Sequence, residues 1–305
     1  MVTFTRLLCP VDFSDASRHA LDQAVVVAKW FDARLTVLHV YNRILLPVPG
    51  LATPAYGGGV SLDPAEVERL HEQTRAFVAD SSADPTKVEV MLEAGQPVPH
   101  ILAVAGVRAD LVVMGTHGTS GFEHLVLGSV TEKVLRKATC PVLTVPPRAP
   151  AASVLPFKRI LCAVDFSESS LAAAKTAFAL AQEADAQLDL VHVLDWPSDD
   201  AVGWSVEAPG GPIFDLDGYR QALETAGASR LQALVPAEAR TWCRPRTRVV
   251  HGKPHREILE VAAAEKTDLI VLGVRGRNAV DLAMFGSTTN QVVRGATCPV
   301  LTVRQ

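Results

Sequence analysis

Apolar residues along this chain gather in short unbroken runs separated by longer stretches of helical period. RLLCPV (6–11) is followed by a segment, 14–31, in which Ala20, Ala24, Val27 and Phe31 keep 4-3-4 spacing, one face of a helix. LTVLHV (35–40) comes next, then a helix starting near Pro64, VEVML (88–92), a helix over 98–107, DLVVMG (110–115), a helix over 130–137 and VLTV (142–145). Runs that are apolar throughout, rather than alternating, belong to strands buried on both faces. Their regular alternation with helices predicts a doubly wound α/β fold with a parallel sheet.

The same series then starts again. LLCPVDFSDAS (7–17) reappears as ILCAVDFSESS (160–170), LTVLHV as LDLVHV (188–193), and ATCPVLTV (138–145) without change at 296–303. The helical face recurs as Ala173, Ala177, Leu180 and Ala184. An internal repeat on this scale sets the architecture before any other feature. The chain is predicted to be two tandem five-stranded domains, 1–146 and 158–305, joined by a Pro- and Ala-rich linker over 147–157. The stretches 42–63 and 195–217 are the least alike and read as loops or caps. Pro141 and Pro299 stand at the start of the last strand, a position proline tolerates. Two identical edge strands in like domains can pair about a pseudo-two-fold axis, so an intramolecular pseudo-dimer is expected.

Composition changes this picture little. The 305 residues are 48% hydrophobic and 20% charged, ordinary for a globular protein. A net charge of −4 without a long basic run argues against nucleic acid and membrane surfaces as partners. No apolar run is long enough to span a bilayer and no signal-like start is present, so a cytoplasmic protein is expected. The five cysteines are widely spaced and odd in number, which fits buried thiols rather than a disulfide framework or zinc ligands.

Chemistry points to the carboxyl ends of the strands, where doubly wound sheets bind ligands. After the fourth strand of each half the spacing is Gly, two residues, Gly, nine residues, Gly-Ser: Gly115, Gly118, Gly128 and Ser129, then Gly273, Gly276, Gly286 and Ser287. Glycines permit close backbone approach, and the final Gly-Ser opens a helix whose N-terminus favours phosphate. The loop is neither a Walker A sequence nor the dinucleotide fingerprint. Each reading has a rival. Asp12 and Asp165 suit a ligand role or helix capping, and the glycines suit a phosphate loop or tight turns. His39 and His192 suit a satisfied, half-buried place or a catalytic one. His117 suits acid–base work, but its register partner Arg275 cannot act as a base, whereas phosphate contact accounts for both.

Taken with PVDFSDAS and TCPVLTV, this loop resembles the universal stress protein family in its tandem form. The match covers nearly the whole chain and occurs twice. The resemblance implies two ATP sites, with Mg2+ accompanying the nucleotide and no catalytic residue. In the first half it implies contacts from Pro10, Val11, Asp12, Val40, Met114, Gly115, His117, Gly118, Gly128, Ser129, Val130 and Thr131. In the second it implies Ala163, Val164, Asp165, Val193, Leu272, Gly273, Arg275, Gly276, Gly286, Ser287, Thr288 and Thr289. The aspartates would hold the nucleoside, Val40 and Val193 would flank adenine, and the loops would take ribose and phosphate. The halves depart from each other inside the loop, with His117, Thr119 and Ser120 against Arg275, Arg277 and Asn278. The implied role is ATP-dependent regulation in the stress response, through a protein partner or further homodimer. A slow nucleotide hydrolase or phosphotransferase is the alternative.

Overall fold

The computed structural model describes residues 3–41, 63–116, 127–147, 149, 157–195, 216–243, 245–274 and 286–304. The chain divides into two compact units, Thr3–Ser153 and Val154–Gln305. The linker over 147–157, most of the two stretches read as caps, and the loop residues His117, Gly118, Thr119, Ser120, Arg275, Gly276, Arg277 and Asn278 lie wholly or mainly outside the described residues.

The first unit runs β1 (Arg6–Val11), α1 (Asp15–Phe31), β2 (Arg34–Tyr41), α2 (Pro64–Ala79), β3 (Val88–Ala94), α3 (Pro97–Arg108), β4 (Leu111–Gly115), α4 (Ser129–Lys137) and β5 (Val142–Val145). Its strands lie in the order β3-β2-β1-β4-β5, every described pairing parallel. The second unit repeats the series as β6 (Arg159–Ala163), α5 (Glu168–Ala184), β7 (Gln187–Leu194), α6 (Leu216–Leu234), α7 (Ala239–Trp242), β8 (Arg246–His251), α8 (Pro254–Ala264), β9 (Leu269–Gly273), α9 (Ser287–Gly295) and β10 (Val300–Val303). Its order is β8-β7-β6-β9-β10, also parallel. The single turn α7 has no counterpart in the first unit and was not legible in the repeat.

Burial follows the runs. β4, β5, β9 and β10 are buried at every position, whereas the outer strands β3 and β8 contain no buried position. Leu7, Leu8, Leu35, Leu38 and Leu111 are fully enclosed in the first unit, and Ile160, Leu161, Leu188 and Leu190 in the second. α1 lays Ala20, Ala24 and Val27 on the sheet. Its small residues let the helix approach closely. The prolines before β5 and β10 still serve the ladder, since their carbonyls accept from Val112 and Ile270.

In each unit the order places the first strand between the second and the fourth. The chain leaves the first strand to one side and the fourth to the other. The carboxyl ends of β1 and β4, and of β6 and β9, therefore flank the switch in strand order, where doubly wound folds open a crevice.

Candidate functional site

The end of β1 turns sharply. Asp12 follows Val11, and its Oδ1 accepts from the Ser14 amide at 3.1 Å and the Ser14 hydroxyl at 2.5 Å. This is an Asx-type turn, in which a side chain stands in for a backbone acceptor. The Ser14 hydroxyl then accepts from Ser17 N at 3.2 Å and caps α1. Asp12 thus orients the residue that caps the helix. Asp165 repeats the arrangement on Ser167, at 3.0 and 2.5 Å, with Ser167 capping α5.

The residue between aspartate and serine is Phe13 or Phe166, each at φ 63°. That is left-handed backbone, rare for a bulky L residue. Each ring lies against a histidine, Phe13 on His39 with centroids 4.4 Å apart and Phe166 on His192 at 4.7 Å. The histidines have the satisfied place among the alternatives above. His39 Nδ1 donates to Val11 O at 2.8 Å, and His192 Nδ1 to Val164 O at 2.7 Å.

Across the crevice, the fourth strand ends at Gly115 or Gly273. A Cβ on Gly115 would lie 2.8 Å from Ala16 O, and one on Gly273 would lie 2.7 Å from Ser169 C and Ser170 N. The first helix of each unit comes down on this strand end, so helix packing alone requires glycine there. The amide of Gly128 donates to Thr116 O at 2.8 Å, and that of Gly286 to Val274 O at 3.1 Å. The chain therefore rejoins the strand end close to where it left.

The helices that follow are not capped by a side chain. Gly128 and Gly286 occupy the cap positions, and the first intrahelical bonds come from Glu132 and Asn290. The amides of Ser129, Val130 and Thr131, and of Ser287, Thr288 and Thr289, accordingly have no acceptor within their helices. Ser129 and Ser287 are exposed. Thr131 and Thr289 are buried, and their hydroxyls donate to Gly115 O at 2.8 Å and Gly273 O at 2.9 Å. Their side chains pin helix to strand, leaving only their amides directed to the helix end.

The remaining expected residues fall around this frame. Val11, Met114 and Leu272 are buried in the sheet and Val164 just past the end of β6, while Pro10, Val40, Ala163 and Val193 are half-buried near strand ends. Each unit thus brings its aspartate turn and open helix N-terminus to neighbouring strand ends. The signal for the Phe and Ser parts of the turn was present in the repeated VDFS. Among the described residues no group of His, Cys, Asp and Glu could hold a metal ion. A cavity of about 210 Å³ at the amino ends of β2 and β3, lined by Lys29, Asp32, Asp84 and Lys87, lies away from this frame. Its charged groups bond locally, Lys87 to Asp32, Lys29 to Ser82 and Asp84 to Thr86.

The model of the universal stress protein family matches this chain twice, over residues 3–146 and 156–304. A universal stress protein of Mycolicibacterium smegmatis (strain ATCC 700084 / mc(2)155) is 28% identical over 302 residues, covering 98% of this chain and 96% of that protein. One from Mycobacterium tuberculosis (strain ATCC 25618 / H37Rv) is 29% identical over 272 residues, covering 89% and 87%. Among solved structures, a universal stress protein from Archaeoglobus fulgidus DSM 4304 superposes with a TM-score of 0.63 at 22% identity, over 98% of this chain and 97% of that one. That likeness bears on the fold. No described helix is long and apolar enough to cross a membrane. With both halves matched in full, the chain belongs to the universal stress protein family, in its tandem two-domain form.

Proposed function

We propose that each unit binds ATP at the switch in its strand order, and that occupancy sets a conformation or partner-binding state in the stress response. The observation that carries this reading is the pairing, made twice, of an oriented aspartate with a helix N-terminus that has no side-chain cap. The amides opening α4 and α9 suit an anion in both hydrogen bonding and dipole. Asp12 and Asp165 are acceptors suited to the hydroxyls of a ribose. Val40 and Val193 stand one residue before the end of the neighbouring strand, where an apolar wall suits a base. Among the described residues none builds a metal cage, so Mg2+ would arrive with the triphosphate. ATP acts here as a ligand that biases a state, and chemistry at its phosphates is not required.

Calorimetry on the nucleotide-stripped full chain tests the proposal. The expected result is two ATP bound per chain, with turnover well below the roughly 1–1000 per second of dedicated enzymes. No binding refutes it, and turnover in that range reassigns the protein as an enzyme.

A further inference from the structure

We propose that His39 and His192 are positioning residues for the two nucleotide sites, each setting the peptide that leads from the first strand into the site aspartate. This rests on the ATP reading above. The acceptor in each unit is a backbone carbonyl, Val11 O or Val164 O. A carbonyl cannot donate, so Nδ1 carries the hydrogen in the neutral as well as the charged ring. The carbonyl of Val11 and the amide of Asp12 share one rigid plane. Holding one end of that plane aims the other, and the Asp12 amide points at Ser17 Oγ, 3.4 Å away. The direction in which Asp12 leaves the strand is thereby set from β2.

The imidazole has a second task. Phe13 and Phe166 adopt a backbone that glycine would adopt with less strain. What a phenyl ring adds is a surface to hold, and in both units it is held from two sides. One side is the imidazole. The other is Phe77 in the first unit, edge-on at 5.5 Å with Arg18 3.6 Å above it, and the Arg230 guanidinium in the second, 3.8 Å from the Phe166 ring. In the register that sets Asp12 against Asp165, Phe77 stands against Arg230 and Arg18 against Leu171. The outer cover has been rebuilt between the copies, while histidine, carbonyl, phenylalanine and aspartate have stayed.

The second unit adds a further sign that the ring's position matters. Gly227 lies inside α6, where glycine weakens a helix. A Cβ there would sit 3.1 Å from His192 Cδ2. The helix rests on the imidazole edge, and glycine leaves it room.

The test compares two replacements in the full-length protein. H39F/H192F keeps a ring against the phenylalanines and removes the donor. H39N/H192N leaves the phenylalanine held only from its other side, by Phe77 or Arg230, and keeps an amide N–H close to where Nδ1 stood, so it removes the lesser task and retains the donor. ATP affinity should fall about tenfold or more in the first and stay within about threefold of wild type in the second, converting to a loss of at least about 1.4 kcal/mol against less than that. Retained affinity in the phenylalanine variant, or equal losses in both, overturns the proposal. Hydrogen exchange at the Ser14 and Ser167 amides, which bond to the aspartates, is read in parallel. It should quicken in the phenylalanine variant and match wild type in the asparagine variant. Nitrogen-15 spectra of the wild-type imidazoles should show hydrogen on Nδ1, and hydrogen on Nε2 alone overturns the assignment even where a variant fails to fold. Absence of ATP binding by wild type removes the nucleotide reading alone, since exchange and imidazole spectra still decide the positioning role.

Discussion

Replacing Gly115 by alanine adds one methyl group to the end of β4. That methyl would lie 2.8 Å from Ala16 O, 3.0 Å from Ala16 C and 3.1 Å from Ala16 Cβ. Two of these atoms are backbone in the first turn of α1, which Ser14 caps and Asp12 steadies. No flexible side-chain end is available to yield, so the helix start itself has to move by several tenths of an ångström. Crowding of this kind in a packed core costs about 1–3 kcal/mol. Gly106 supplies the control. It lies exposed inside α3 of the same unit, and a Cβ there meets nothing within 4 Å. Alanine at 106 should stabilise by about 0.5–1 kcal/mol, as in other helix interiors. Both replacements reduce the freedom of the unfolded chain alike, so their difference isolates the contact at Ala16.

The first unit carries one tryptophan, Trp30, and the other three are Trp196, Trp204 and Trp242. With those three replaced by phenylalanine, Trp30 fluorescence in urea follows the first unit alone. Gly115→Ala should unfold at lower urea than the parent, Gly106→Ala at higher. In heat, each kcal/mol corresponds to about 2–4 °C for a unit of this size. A Gly115→Ala variant as stable as Gly106→Ala would refute the packing explanation and return Gly115 to the ligand as its sole reason.

Two further predictions rest on burial and charge. Burial raises the thiols of Cys162 and Cys298 to about 12 and that of Cys243 to about 11, and holds Cys9 still higher, while Cys140 is half-buried. At pH 8 a disulfide reagent should therefore react with at most one thiol within minutes, and with all five in denaturant; rapid reaction of several native thiols would contradict the described cores. On β8, Arg246 bonds Asp189 at 2.6 and 2.8 Å and Glu265 at 2.6 Å, and Glu265 also takes Arg248. Hydrogen bonds from Arg248 and then Arg246 lower the Glu265 carboxyl below its ordinary 4.5 in the folded state. Its contribution is thus present above that value and lost as pH falls through the lowered one. The stability gap between wild type and Glu265→Gln should be open at pH 7 and close in acid, and a gap that widens in acid contradicts the network.

How much of this was written in the sequence depends on the distance over which each feature is decided. The strands and helices rest on local period, and their predicted bounds depart from the structure by only a few residues. For α4 the apolar period alone starts at Val130, and it is the Gly-Ser pair that marks the true start at Ser129. The candidate site was legible as a spacing, since repeated glycines and aspartates mark strand ends in any doubly wound fold. What those residues touch was not. The need for glycine at 115 comes from Ala16, far away along the chain, and no run of neighbouring letters reports it. The bond from His39 to Val11 joins two strands through their register. Thr131 and Thr289 have the same character: placed with the ligand groups by position, they spend their hydroxyls on the strand carbonyls.

The duplication supplies what a single copy lacks, because it shows one design solved twice with partly different residues. Thr36 of the first unit stands where Asp189 anchors Arg246 in the second, and the residue beside Thr36 on the outer strand, Glu89, pairs instead with Arg108, so the outer strand is held by different charges in the two halves. Phe77 and Arg230 cover the same phenylalanine by different chemistry. Such exchanges mark positions where any adequate contact suffices. Against them, aspartate, left-handed phenylalanine, capping serine, imidazole-to-carbonyl bond and uncapped helix start recur with closely matching geometry. Helix packing explains the glycines and capping explains the serines. Neither explains why a strained phenylalanine should be kept twice beside an oriented carboxylate. A requirement on where that carboxylate points explains both, and it gives the two halves the same task at their strand ends.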